Sequence, residues 1–352
     1  MPENTSSTIP HAVTEALREV IAEAGIDHNA DLVARILATG VGLGLDDADR
    51  LDLKITSSAL SEMRAAFQLF APYSDVPKVT VFGSARTHQD DALYRLTVDV
   101  AAELARRGWM VVTGAGPGIM QAAAEGAGAA QSIGVSIRLP FESKPNAIVA
   151  ERNVAMKYFF TRKLMLVKES RGFVCLPGGF GTLDEMFELL TLQQTGKADP
   201  TPIVLLDRPG GTFWSALERF VHETLSPAGV ISPGDFDRVL VTDSTDAAAA
   251  AITAFWRNYD SLRWVGGRLV LRLRAAPTDT EIDVLNELFG DLLAGGRIER
   301  SAPLDAEVAD DDRLSLPRLV MRLDQYRVGS LYRIIGAVNA LASAPADGTL
   351  PD

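Results

Sequence analysis

Between residues 76 and 260 short apolar runs alternate with amphipathic stretches of helical length, and this alternation limits the fold more than any other feature. The runs are Val79-Thr-Val-Phe82, Trp109-Met-Val-Val112, Ile133-Gly-Val-Ser-Ile137, Phe173-Val-Cys-Leu176, Ile203-Val-Leu-Leu206 and Val239-Leu-Val241. The helical stretches among them are 90–106, 117–130, 156–169, 182–195, 212–224 and 245–258. Apolar strands separated by helices form βαβ units, which lie side by side in a parallel sheet covered on both faces. The expected class is α/β, with a doubly wound, mostly parallel, Rossmann-like sheet. Such sheets bind ligands outside the carboxyl ends of their strands. The glycine-rich turns fall there: Gly83, Gly114 to Gly118, and Gly178 to Gly181.

The flanking regions follow other patterns. Residues 1–75 read as a helical N-terminal module behind a disordered lead over 1–10, with Val13, Leu17, Val20 and Ile21 on one stripe. The Rossmann-like nucleotide-binding domain is expected over 76–260. A small α/β C-terminal domain, for regulation or oligomerisation, is expected over 261–342. It holds the alternating strands Arg268-Leu-Val-Leu-Arg-Leu273 and Arg318-Leu-Val-Met-Arg-Leu323, helices from Asp279 to Leu293 and Val328 to Leu341, and a strand near Arg297 to Ser301. Residues 343–352 read as a disordered tail.

A net charge of −12 argues against nucleic acid or an acidic membrane surface as a partner. The lone Cys175 cannot form an intramolecular disulfide and suits a reducing compartment. No apolar run approaches the ~18 residues of a membrane span, and the first residues lack the basic and apolar regions of a signal peptide. A cytoplasmic protein is expected. His11, His28, His88 and His222 are scattered without metal-ligand spacing, so neither a metal nor any other cofactor is expected.

The turn Pro177-Gly-Gly-Phe-Gly-Thr-Leu-Asp-Glu185 lies between a buried strand and a helix. Glycine lets a ligand approach the backbone, and a helix N-terminus offers unpaired N–H groups to an anion. A phosphate site over Gly178, Gly179, Gly181 and Thr182 follows. Two readings stand for Glu185. Thr182-Leu-Asp-Glu185 matches a capping box, a purely structural role. A carboxylate one turn from a bound phosphate could instead work on the attached sugar, with Asp184 as the alternate carrier.

The turn Gly114-Ala-Gly-Pro-Gly-Ile-Met120 places Pro117 at the first helical position but has isoleucine where a dinucleotide fingerprint needs its third glycine. A phosphate or nucleoside contact by Gly114, Gly116 and Gly118 fits better than NAD, and a tight turn needed only for close helix–strand packing is the structural alternative. Ser84 could donate to a phosphate or ribose. Residues 150–171 are basic and aromatic, and Arg162 is their best candidate to face a ligand.

Phe82-Gly-Ser-Ala-Arg86, Gly114-Ala-Gly-Pro-Gly-Ile-Met120, Leu139-Pro-Phe-Glu142, Tyr158-Phe-Phe-Thr-Arg-Lys163 and Pro177-Gly-Gly-Phe-Gly-Thr-Leu-Asp-Glu185 together resemble the Lonely Guy (LOG) family in its longer bacterial form. Its members are phosphoribohydrolases often misannotated as lysine decarboxylases. The resemblance implies hydrolysis of a purine nucleoside 5′-monophosphate, AMP or a cytokinin ribotide, to free base and ribose 5-phosphate. It implies Arg162 and Glu185 as the catalytic pair and Lys163 among the substrate-binding residues. Gly179, Gly181 and Thr182 would hold the phosphate, with the Gly114 to Gly118 turn bordering the sugar. A homodimer with sites near the subunit interface is implied as well. Ala115, where many members have glycine, is expected to bring a methyl group close to the ligand. The competing functional reading is a non-catalytic nucleotide sensor or carrier on the same fold. Decarboxylation would need a lysine carrying pyridoxal phosphate, and no lysine stands out for it.

Overall fold

The computed structural model describes residues 9–139, 145–232, 234–236, 238–324 and 330–346. Pro140 to Glu142 of the Leu139-Pro-Phe-Glu142 motif, most of both expected disordered ends, and the start of the last expected helix lie outside these residues. The chain divides into two compact units, 1–65 and 66–352. In the first, α1 (His11–Glu23) packs on α2 (Ala30–Leu45), and α3 (Arg50–Phe70) continues into the second unit.

The second unit contains two sheets. The first comprises β1 (Lys78–Phe82), β2 (Met110–Thr113), β3 (Ser132–Ile137), β4 (Asn153–Met156), β5 (Phe173–Cys175), β6 (Ile203–Leu206) and β7 (Val239–Thr242). All neighbours are parallel, in the order β4-β3-β2-β1-β5-β6-β7. The helices are α4 (Ala92–Arg106), α5 (Ile119–Ala127), α6 (Phe159–Lys168), α7 (Phe180–Gln194), α8 (Phe213–Phe220), which runs on into a π turn, and α9 (Thr245–Ala254).

Alternation along β1 shows the double winding. Val79 and Val81 join one core with Val100 and Leu104 of α4, Ile119 of α5 and Ile252 of α9. Thr80 points the other way, donating to Leu166 O of α6 at 3.0 Å while bonded to Ser170 Oγ at 2.6 Å. The doubly wound α/β sheet inferred from the strand–helix alternation is therefore present. Each of the six expected strands is there, within a residue or so at its ends. The seventh, β4, falls in the basic segment, where polar Asn153 at a sheet edge interrupts the apolar pattern. Pro117 is not the first helical residue: α5 starts at Ile119, after Gly118.

The second sheet is antiparallel, in the order β10-β11-β9-β8. It consists of β8 (Tyr259–Val265), β9 (Arg268–Leu273), β10 (Leu293–Arg300) and β11 (Arg318–Leu323), with α10 (Asp279–Phe289), α11 (Asp305–Ala309) and α12 (Leu331–Ala340). Thr278 and Glu281 close a reciprocal cap on α10. The division between residues 260 and 261 falls inside β8. Both sheets share one continuous core, running from Val79 and Val174 through Trp256 and Tyr259 to Leu271 and Ile334.

Candidate active site

Strand order reverses between β1 and β5, the point where two connections leave the sheet in opposite directions and open a crevice. The turns following these strands touch, with Ser84 N donating to Pro177 O at 3.4 Å. A cleft of about 690 Å³ lies above them. Its lining includes Ser84, Gly114, Gly116, Arg162, Gly178, Gly179, Gly181, Thr182 and Glu185, so three turns far apart in sequence converge on one space. Arg86, at the end of the first glycine turn, lines it too.

Two glycines are needed for close approach. A Cβ on Gly114 would lie 2.0 Å from Arg162 Nη2, and one on Gly178 would lie 2.2 Å from Thr182 Oγ1. Gly118 has a different task and is not a lining residue. At φ +66° it lets the chain pass beneath the first turn, where a Cβ would meet Ser84 O at 2.4 Å. Ala115 also holds a left-handed φ, of 60°, which costs a non-glycine residue about 1–2 kcal/mol. Its methyl does not face the cleft, contrary to expectation. It packs in a small cluster with Ala124 and Val149, while Asn146 N donates to Ala115 O at 2.9 Å and Asn146 Nδ2 to Gly116 O at 3.2 Å.

The capping reading of Glu185 fails on the position of the helix start. α7 begins at Phe180 with Gly179 as its cap residue and no side-chain cap. Thr182 is thus the third helical residue, buried against Gly178, and Glu185 lies deeper in the helix than a capping carboxylate could. Glu185 faces Arg162 instead, with Nη1 to Oε1 at 3.4 Å and both side chains about one-tenth exposed. Arg162 is anchored from β3, its Nε donating to Val135 O at 2.9 Å. Burial raises the Glu185 carboxyl to about 7, against the opposing pull of Arg162 and Lys163. A carboxyl that gains and loses its proton near neutrality is suited to acid–base work.

Lys163 has a place different from the one expected for a substrate contact. It is not a lining residue of the cleft. Its Nζ binds Asp184 Oδ2 at 2.7 Å and Glu188 Oε2 at 2.9 Å, tying α6 to the second and third turns of α7. Burial pulls its pKa down, but the two carboxylates outweigh that and hold it above the ordinary lysine value. Asp184 is thereby committed to Lys163. The apolar wall of the cleft includes Met120, Ile137, Phe159 and Phe180, of which Phe180 is 93% exposed. Sequence reasoning did not assign Met120 or Phe180 to the site. The available signal was a large aromatic residue between two glycines at a helix start, where it has no core to join.

A parallel α/β protein with a glycine-rich turn and a buried acid–arginine pair at its switch point is the class that this fold and site define. Residues 118–252 match a family model described as "Possible lysine decarboxylase". Over 169 residues the chain is 32% identical to the cytokinin riboside 5′-monophosphate phosphoribohydrolase of Mycobacterium tuberculosis, covering 47% of this chain and 87% of that protein. It is 33% identical over 156 residues to the Arabidopsis thaliana phosphoribohydrolase LOG3, covering 43% and 67% respectively. The chain belongs to the LOG family. Among solved structures, the molybdenum cofactor binding protein of Rippkaea orientalis aligns with 49% of this chain and 91% of its own, at 20% identity and a TM-score of 0.36. No described helix is long and apolar enough to cross a membrane, and no cluster of metal-ligating side chains occurs among the described residues.

Proposed function

We propose that the protein hydrolyses the N-glycosidic bond of a purine nucleoside 5′-monophosphate, AMP or a cytokinin riboside 5′-monophosphate, to free base and ribose 5-phosphate. The observation that carries this reading is Glu185 freed from capping and set against Arg162 beside the glycine turn. The phosphate takes the backbone N–H groups of the Gly178 to Thr182 turn at the start of α7. The ribose then lies over Glu185, and the base meets Met120, Phe159 and Phe180. As the glycosidic bond breaks, its electrons leave with the base and positive charge develops on the ribose; water then adds to C1′, and the proton it gives up ends on the departing base. Glu185 in its carboxylate form stabilises that charge or takes a proton from the attacking water, as carboxylates do in other glycosidic cleavages. Arg162 orients the substrate and keeps part of the Glu185 population ionised at neutral pH. Lys163, held protonated by two carboxylates, is a poor candidate for the Schiff base of a decarboxylase.

Incubation with AMP and other nucleoside monophosphates, followed by chromatography, should yield free base and ribose 5-phosphate in equal amounts. Tight binding without any product would instead support a sensor or carrier and remove the hydrolase reading. Gly114→Ala adds a second check. Its methyl must displace the Arg162 guanidinium, so kcat/KM is expected to fall by about tenfold to a hundredfold with the melting temperature little changed. An unaltered kcat/KM would show that the position of Arg162 does not matter.

A further inference from the structure

The helices that carry Arg162 and Glu185 also border a second cavity, of about 410 Å³, at their opposite ends. Leu164 and Val167 of α6 and Leu189 and Leu192 of α7 form an apolar wall. The cavity is closed by the α6–β5 connection, the α7–β6 connection, Trp256, the start of β8 and Arg313, with Lys168 and Lys197 also in its lining. It shares no lining residue with the catalytic cleft.

The polar groups in this wall are poorly matched. The Arg171 guanidinium lies 5.2 Å over the Trp256 ring, and among the described residues no carboxylate is within ion-pair distance of it. Its Nη1 is sealed from water without an acceptor, and burial disfavours its charge. Asp260 acts on it only through space, because that carboxylate already accepts from Arg313 and Ser261. Gln193 presents the converse problem. Its Nε2 donates to Thr201, while its Oε1 is buried without a donor. Asp199, exposed at the cavity, makes no ion pair among the described residues, and Arg313 and Arg272 act on it only through space. A buried polar group left unmatched costs about 1–3 kcal/mol, more when it is charged, and calls for an explanation.

A guest that relieves these mismatches supplies an anion to Arg171, an N–H donor to Asp199 and Gln193, and an apolar body to the leucine wall. We propose that this cavity binds a small organic carboxylate bearing an amino group and an apolar body, the chemistry of a free apolar α-amino acid. Its carboxylate pairs with Arg171, its ammonium group faces Asp199 and the Gln193 carbonyl, and its side chain packs on Leu164, Val167, Leu189 and Leu192. The site is independent of the proposed hydrolysis, but its occupant would touch the far ends of both catalytic helices.

Calorimetric titration of the full chain with L-leucine and L-phenylalanine tests the proposal. At least one should bind, and equally well to Glu185→Gln, which places the guest outside the catalytic cleft. Asp199→Asn and Arg171→Met should each weaken that binding about tenfold or more. Asp199 is solvent-exposed, so its variant remains informative if Arg171→Met does not fold. 4-Methylpentanoate, which lacks the amino group of leucine, should also bind about tenfold more weakly than leucine. No binding of either amino acid, unchanged binding to Asp199→Asn, equal binding of 4-methylpentanoate, or loss of binding in Glu185→Gln would each overturn it.

Discussion

Glu185→Gln is expected to lower kcat on the preferred nucleoside monophosphate by about 10²–10⁴-fold, the range lost when a positioned acid–base group is removed. Glutamine keeps the shape of the side chain and can still accept from Arg162 Nη1, so the cleft should retain its form and KM should change little. An interaction made only in the transition state lowers kcat and kcat/KM together. If the variant keeps full activity, the carboxylate is not part of the reaction and the hydrolytic mechanism fails. A rise in KM at constant kcat would reduce Glu185 to a substrate-binding group.

The same residue should leave a trace in stability. Burial raises its carboxyl from 4.5 to about 7 in the folded protein. Between those values the folded state holds a proton that the unfolded state has released, so stability falls as pH rises through this window. The full cost above pH 7 is at most about 3 kcal/mol, and water entering the open cleft reduces it. Glu185→Gln should therefore melt several degrees above wild type at pH 8 and at the same temperature near pH 4.5. Activity should follow the opposite course, rising with pH toward a plateau above about 7 as the carboxylate forms. A stabilised and inactive variant would identify Glu185 as a functional group that the fold holds at a cost.

The parallel sheet was legible because its strands are buried on both faces, which leaves unbroken apolar runs punctuated by glycine. β4 and β8 were not, since Asn153, Asp260 and Arg263 interrupt the pattern where strands are only half covered. The convergence of the cleft was legible for a related reason: glycine turns at the carboxyl ends of strands in one parallel sheet all face the same edge. What remained hidden depended on small shifts along the chain. Thr182 and Glu185 have the spacing of a capping box, but α7 starts two residues before Thr182, and that shift moves Glu185 from cap to cleft. Lys163 adjoins Arg162 in sequence, yet neighbouring helical residues point about 100° apart, so Arg162 reaches the cleft and Glu185 while Lys163 pairs with Asp184 and Glu188 outside it. The direction of the Ala115 methyl depends on its left-handed φ, which the sequence does not specify.

Glu307→Ala is expected to be the most destabilising single substitution in the C-terminal sheet, costing about 3–5 kcal/mol. Arg272 and Arg318 are paired across β9 and β11, so two guanidiniums stand side by side. Strand alternation suggests a charged, solvated face, but α11 covers it and lays Glu307 between them. Glu307 Oε1 accepts from Arg272 at 2.8 and 3.0 Å and from Arg318 at 2.7 Å, while Oε2 accepts from Leu304 N at 3.0 Å. Exposure of the three side chains is 0–3%. Burial alone would raise the Glu307 carboxyl, but the Leu304 N–H and the two arginines hold it below the ordinary value. It therefore stabilises the fold above the unfolded-state pKa, and that stability is lost as pH falls through the folded one. Removing the carboxylate leaves Arg318 buried with backbone carbonyls as its only partners among the described residues, whereas Arg272 keeps Asp312 at 2.7 Å. Replacing both members, Glu307→Met with Arg318→Met, should recover most of the loss, because the unpaired charge is gone. Urea unfolding of the single and double variants measures both terms. A single variant within about 1 kcal/mol of wild type would mean that water or rearrangement satisfies the arginines, and the triad would then be dispensable.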